Sequence, residues 1–249
     1  VLALEYKGHT DMVRSITIDK TGQYLASGSD DTTLKIWEVN TGRCIKTIPT
    51  GGVIRSVDWC PSAAVNLILV ASDNKVLLIN PGVGDFSITS KTDDVLKEVE
   101  RTESEVVVSE RVKTAVQWQW NEDEDAYRHG VRFVLTHFKE VAQVTWHRGG
   151  DFFATVMPDG LNRSVLISQV SKRQSRLPFP KCRGMVQRVL FHPTKPQLFV
   201  ATQRHVWLYD VKEQSWLKKL LTNSKWVSSI AVHPGGDNLL VGTYDRKML

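Results

Sequence analysis

One stretch limits what this chain can fold into, because the rest of the chain repeats it. Residues 8–48 read GHTDMVRSITIDKTGQYLASGSDDTTLKIWEVNTGRCIKTI. Four runs in it, residues 13–19, 24–29, 34–39 and 43–48, alternate apolar and polar positions as half-buried strands do. Turn formers separate them: Lys20-Thr21-Gly22, Asp30-Asp31-Thr32 and Asn40-Thr41-Gly42. Short strands joined by tight polar turns make an antiparallel four-stranded meander. Matching first strands begin at Val13, Val53, Val141, Val186 and Val227, at intervals of about 40, 88, 45 and 41 residues, the long one being a repeat plus an insertion.

Four polar and aromatic residues recur at offsets that carry a structural meaning. His9 precedes the first strand, Ser27 lies in the second, Asp31 in the next turn and Trp37 in the third strand. In this arrangement the segment resembles a WD repeat, the blade of a β-propeller. Such a blade ties turns to strands through one hydrogen-bonded chain. That chain needs a carboxylate acceptor, an imidazole, a hydroxyl and an indole donor. Only the last residue of the motif departs, with Glu38 where an Asp is usual. A catalytic reading of the His9, Ser27 and Asp31 trio is redundant, since the structural role accounts for all three.

The fold class is therefore all-β, a WD-repeat propeller. Seven blades are expected of a full ring and about four and a half are present, the remainder being expected beyond Leu249. The blades are residues 8–49, 50–137, 138–180, 181–222 and an incomplete 223–249. Residues 2–6 are expected to form a further strand that completes the last blade. In the second repeat Asp73 keeps the turn carboxylate, but Ile79 stands where Trp37 stood, so packing must replace the hydrogen-bonded chain there. About residues 86–130 break the period and form an acidic insertion. Its high charge leads one to expect much of it to be mobile, with Val-rich residues 105–110 as a candidate added strand. Trp118 and Trp120 alternate with Gln119 and so share one side of a strand. They either pin the insertion to the propeller or form a partner-binding patch. His147, His192 and His233 each follow a first strand and read as turn residues, not metal ligands.

Charge supplies the main functional hint. The chain carries 32 basic and 27 acidic residues, a net +5. Residues 92–125 contain eleven acidic and four basic residues, a local −7, so the remainder carries +12. Residues 160–209 contain nine Lys or Arg and no Asp or Glu. Turn geometry sorts these cations between the two faces of the disc. Arg163, Lys181, Arg183 and Arg204 go to one face, and Lys172, Arg173 and Lys195 to the other. Both groups are candidate RNA or polyanion contacts, since such clusters neutralise phosphates. Cys44, Cys60 and Cys182 show no metal-ligand spacing and read as free thiols. No apolar run reaches membrane-helix length. No phosphate-cradling loop, nucleophile elbow or metal motif is present, and no catalytic residue or cofactor is assigned.

Longer phrases carry a narrower resemblance. LASGSDDTTLKIWEVNTGRCIKTI, IRSVDWCPSAAVNLILVAS, VTWHRGGDFFATVM and QRVLFHPTKPQLFVATQRHVWLYD resemble the block-of-proliferation family of eukaryotic ribosome-biogenesis proteins. The likeness covers nearly the whole chain, including the second-blade insertion. It implies the carboxy-terminal propeller of a non-enzymatic scaffold for assembly of the large ribosomal subunit. It also implies a nuclear setting, in nucleolus and nucleoplasm, and a role in processing precursor rRNA. The implied partners are a pescadillo-type protein, a second WD-repeat protein with a ubiquitin-like domain, and the pre-large-subunit particle with its rRNA. A protein-only WD-repeat adaptor without RNA contact is the rival expectation.

Overall fold

The computed structural model describes residues 3–101, 108–224 and 226–249. Blade 1 is a sheet of β1 (Val13–Ile18), β2 (Tyr24–Ser29), β3 (Thr33–Glu38) and β4 (Cys44–Pro49), paired in chain order. Blade 2 opens with β5 (Ile54–Trp59), β6 (Ile68–Ser72) and β7 (Lys75–Ile79). The insertion follows as α1 (Phe86–Arg101), α2 (Glu110–Lys113), β8 (Val116–Trp120) and α3 (Glu124–Arg128). Then β9 (Val131–His137) returns beside β7, and β8 adds outside it, so this sheet has five strands in the order β5-β6-β7-β9-β8. Blade 3 is β10 (Gln143–Trp146), β11 (Phe152–Val156), β12 (Val165–Gln169) and a short β13 (Gln174–Arg176). Blade 4 is β14 (Val186–Phe191), β15 (Gln197–Thr202), β16 (His205–Asp210) and β17 (Ser215–Leu221). The pair β18 (Val227–Val232) and β19 (Leu239–Thr243) begins blade 5.

Apolar faces of successive sheets meet in separate clusters. Ile36 and Ile48 of blade 1 pack with Ile54, Val57 and Trp59 of blade 2. Val156 and Val165 of blade 3 pack with Val189 and Val200 of blade 4. Blade 1's other face has no such cover. Ile16 and Ile18 are 64% and 52% exposed, whereas their counterparts Val57 and Trp59 are each 5% exposed.

The first strand of every blade is a sheet edge, and unpaired edge groups need partners. Side chains of the preceding blade supply them. The Val57 N–H donates to Ser15 Oγ (3.0 Å) and the Trp59 N–H to Thr17 Oγ1 (3.0 Å). One blade on, the Val144 N–H donates to Ser56 Oγ (3.2 Å) and the Trp146 N–H to Asp58 Oδ2 (2.7 Å). Gln143 then takes the Val189 N–H on Oε1 (2.8 Å) and donates Nε2–H to the Val189 carbonyl (2.9 Å). Burial pushes the Asp58 carboxyl up to about 6, against the pull of the Trp146 N–H and the Thr145 hydroxyl.

Two expectations need correction. Residues 3–9 do not form a strand, and Leu2 lies outside the described residues. A strand exists only against a neighbour. This segment instead lies along the blade 1 turn at Gly42, with the Tyr6 hydroxyl donating to the Val39 carbonyl (2.7 Å). The start of the insertion is a helix, not a loose segment. Lys91, Asp94, Lys97 and Glu98 are exposed while Thr92, Leu96 and Val99 are buried at helical spacing. Of the Val-rich residues 105–110, Glu105, Val106 and Val107 lie outside the described residues, and Val108 packs against the core between blades 2 and 3. Among the described residues of the insertion, the strand added to the sheet is β8.

Candidate polyanion-binding surface

Blade 1 forms the hydrogen-bonded chain that its sequence foreshadows. His9 Nδ1 lies 2.7 Å from Asp31 Oδ2, and His9 Nε2 lies 2.7 Å from Ser27 Oγ. The Trp37 indole N–H donates to the same Ser27 Oγ (2.7 Å), in a site where Trp37 is 1% exposed. Burial alone would raise the Asp31 pKa. The Thr33 hydroxyl, His9, and the Thr10 and Thr33 N–H groups outweigh it and hold the carboxyl well below the usual range. Every group in the chain has a partner, and the trio is locked to its own blade. In blade 2, Ile79 takes the indole's place as fully buried apolar packing. In blade 4, Tyr209 takes that place and donates its hydroxyl to the Pro178 carbonyl (2.6 Å).

The three histidines act as turn residues. Nδ1 of His147 accepts the Gly149 N–H (3.2 Å), Nδ1 of His192 the Thr194 N–H (3.1 Å), and Nδ1 of His233 the Gly235 N–H (3.2 Å).

The insertion is anchored by paired polar groups and by its tryptophans. Arg132, 8% exposed on β9, forms a two-pronged pair with Asp93 of α1 (Nε–Oδ1 2.8 Å, Nη2–Oδ2 2.9 Å). Asn80 Nδ2 also donates to Asp93 (2.8 Å). The Trp118 indole N–H donates to Ser175 Oγ of blade 3 (2.9 Å), and its ring meets Phe133 and Phe153. Trp120 packs edge-on to Phe133 at 5.0 Å between centroids. Both indoles are half-buried. The outer edge of Trp120 lines a shallow surface hollow with Tyr127 and Arg128.

The seven candidate cations divide differently from the plain two-face sorting. Antiparallel strands do put the β11–β12 and β15–β16 turns, with the β13–β14 link, at one end of the sheets. The β12–β13 and β14–β15 turns lie at the other. The insertion, however, occupies one cation at each end. Arg163 donates to Thr114 Oγ1 (3.0 Å) and lies 4.0 Å from the Phe138 ring centroid. Arg173 donates to the Glu100 carbonyl at the end of α1 (3.0 Å). Both are half-buried, while Lys172, Lys181, Arg183, Lys195 and Arg204 are exposed.

Blade 4 gathers the densest exposed group. The Arg183 guanidinium lies 4.9 Å from the Trp207 ring centroid and 5.4 Å from that of Trp216, and Lys219 Nζ lies 5.3 Å from Trp207. Burial lowers the His205 pKa, and the nearby charges of Lys219 and Arg204 lower it further. Among the described residues none of Arg183, Arg204 and Lys219 has a carboxylate partner within ion-pair distance. Cations held over indole rings leave their charge available to an anion. Trp207 and Lys219 were not singled out from the sequence. The signal was there in the KK of SWLKKLL opposite HVWLYD, two strands that the meander pairs.

The profile described as WD domain, G-beta repeat matches residues 2–38 and 215–249. Over 246 residues, 99% of this chain, the sequence is 60% identical to the ribosome biogenesis protein BOP1 homolog of Aedes aegypti, and the match covers 28% of that protein. It is 57% identical over its full 249 residues to the protein of that name from Drosophila grimshawi, covering 31% of it. The chain thus spans under a third of the length of these relatives.

Proposed function

Because the chain belongs to the block-of-proliferation family of WD-repeat ribosome-biogenesis proteins, we propose that it is part of a non-enzymatic scaffold that holds precursor rRNA during assembly of the large ribosomal subunit. The observation that carries the RNA contact is the group of Arg183 and Lys219 around Trp207, with Arg204 beside His205, none of them with a carboxylate partner among the described residues. Cations interleaved with indoles offer phosphate neutralisation and a stacking surface in one place. Lys181, exposed on the same link as Arg183, extends the patch. Lys172 and Lys195 form a second, weaker cationic surface at the opposite end. The family resemblance supports docking to a pescadillo-type protein and to a second WD-repeat protein with a ubiquitin-like domain, in nucleolus and nucleoplasm.

Salt-titrated binding of single-stranded RNA tests this reading. Each phosphate neutralised on a single strand adds about 0.7 to the slope of log affinity against log salt. Arg183→Glu with Lys219→Glu should weaken binding and flatten that slope by about 1.4. Lys172→Glu with Lys195→Glu should do much less. Binding indifferent to salt, or untouched by the blade 4 pair, would leave the protein-only adaptor as the better account.

A further inference from the structure

At the opposite end of the sheets from the blade 4 patch, a cleft of about 200 Å³ opens between blades 3 and 4. Phe152 and Ile167 of blade 3 face Phe191 and Val211 of blade 4 across it, with Pro196 on the same wall. The outer strand β13 is only three residues long, so its pairing with β12 runs from Gln169 to Ile167 and stops there. His147 fills one corner, its ring edge-on to Phe191 at 5.3 Å. Burial and the adjacent Arg148 hold its pKa below the ordinary value, so the ring is neutral near pH 7.

The rim is cationic and unneutralised. Arg176 and Lys195 line the opening, and among the described residues neither has a carboxylate partner. Asp210, paired with Gln197, takes the N–H groups of Lys212 and Glu213 on Oδ1, each at 2.9 Å, and is not among the residues lining the cleft. Asp151 is likewise taken up by Gln169 and Ser171.

We propose that this cleft is a docking site for a short acidic peptide segment of a partner protein, with one large apolar side chain between Phe152 and Phe191 and flanking carboxylates on Arg176 and Lys195. Charge complementarity selects the acidic flanks, and the apolar walls select the anchor. The volume lies below the roughly 300–1,000 Å³ of ordinary small-molecule sites, which suits one side chain and not a whole cofactor. A nucleobase fits less well. It needs polar groups for its edges as well as stacking faces, and beside Phe152, Phe191 and His147 the walls are the aliphatic Ile167, Pro196 and Val211.

The test uses a fluorescein-labelled peptide, Asp-Glu-Asp-Leu-Phe-Asp-Glu-Asp, in fluorescence polarisation against the protein. Saturable binding should weaken about tenfold or more when the Leu-Phe pair is replaced by two glycines. Arg176→Glu and Lys195→Glu, both at exposed positions, should each weaken it several-fold. Val211→Trp, which fills the cleft, should abolish it. Equal binding of the glycine peptide would overturn the proposal, because charge alone would then account for the affinity. Displacement of the peptide by oligouridylate, with the oligonucleotide losing affinity in the same three variants, would overturn it in favour of a nucleic-acid surface. Unchanged peptide binding in both charge-reversal variants would overturn it as well.

Discussion

Replacing Asp58 with asparagine should stabilise the protein, and by an amount that depends on pH. Asp58 is half-buried on the first strand of its blade and commits Oδ2 to the Trp146 N–H at 2.7 Å, across the joint between blades 2 and 3. Asparagine is isosteric with aspartate, so Asp58→Asn keeps an amide oxygen for that bond and removes the charge. The carboxyl is pushed from 3.8 up to about 6 in the folded protein, chiefly by burial. An acid whose folded pKa is raised contributes its stability fully below the ordinary value and loses it as pH rises through the folded one. The gap corresponds to about 3 kcal/mol. Solvent in the adjoining hollow, which Asp58 lines with Arg14 and Arg55, screens part of the charge. That brings the expected gain of Asp58→Asn at pH 8 to about 1–2 kcal/mol. At about pH 4 both proteins carry a neutral group and should differ little. Urea unfolding followed by tryptophan fluorescence, on both proteins from pH 4 to pH 8, gives the difference directly and cancels every other titrating group. A difference independent of pH, or a substituted protein less stable at pH 8, would refute the reasoning. It would mean that the charge itself, not just the acceptor oxygen, holds the joint.

Ser27→Ala should cost about 2–4 kcal/mol in chemical unfolding, because it strands both the buried Trp37 indole N–H and His9 Nε2. A loss under about 0.5 kcal/mol would show that the chain is decoration. Arg132→Met should leave Asp93 facing Asn80 alone and destabilise the insertion by about 2–3 kcal/mol. Hydrogen exchange should then quicken in α1 while β14–β16 stay unchanged. Trp118→Phe removes the indole bond to Ser175 but keeps the ring between Phe133 and Phe153. About 1 kcal/mol should be lost, read as a small drop in thermal midpoint.

Local chemistry alone determined a good deal here. Alternation and turn residues placed the strands within a residue or two, as with 13–19, 24–29 and 43–48, because strand period and turn preference act over a few residues. The offsets of His9, Ser27, Asp31 and Trp37 were legible for the same reason, since all four lie in one blade. The helix α1 was written in the spacing of Thr92, Leu96 and Val99, but its charge obscured the stripe.

Tertiary structure decided whatever joins one blade to the next. Asp58 reads as an ordinary strand carboxylate until Trp146 is placed beside it, 88 residues away. Arg163 and Arg173 look as available as Arg183 until the insertion is laid along blade 3 and takes them. The cleft beside Arg176 exists only because Phe152 and Ile167 of one blade meet Phe191 and Val211 of the next. A strand's residues determine which face is apolar, whereas the partner on that face comes from a segment forty or more residues distant, and only the closed packing of sheets selects it.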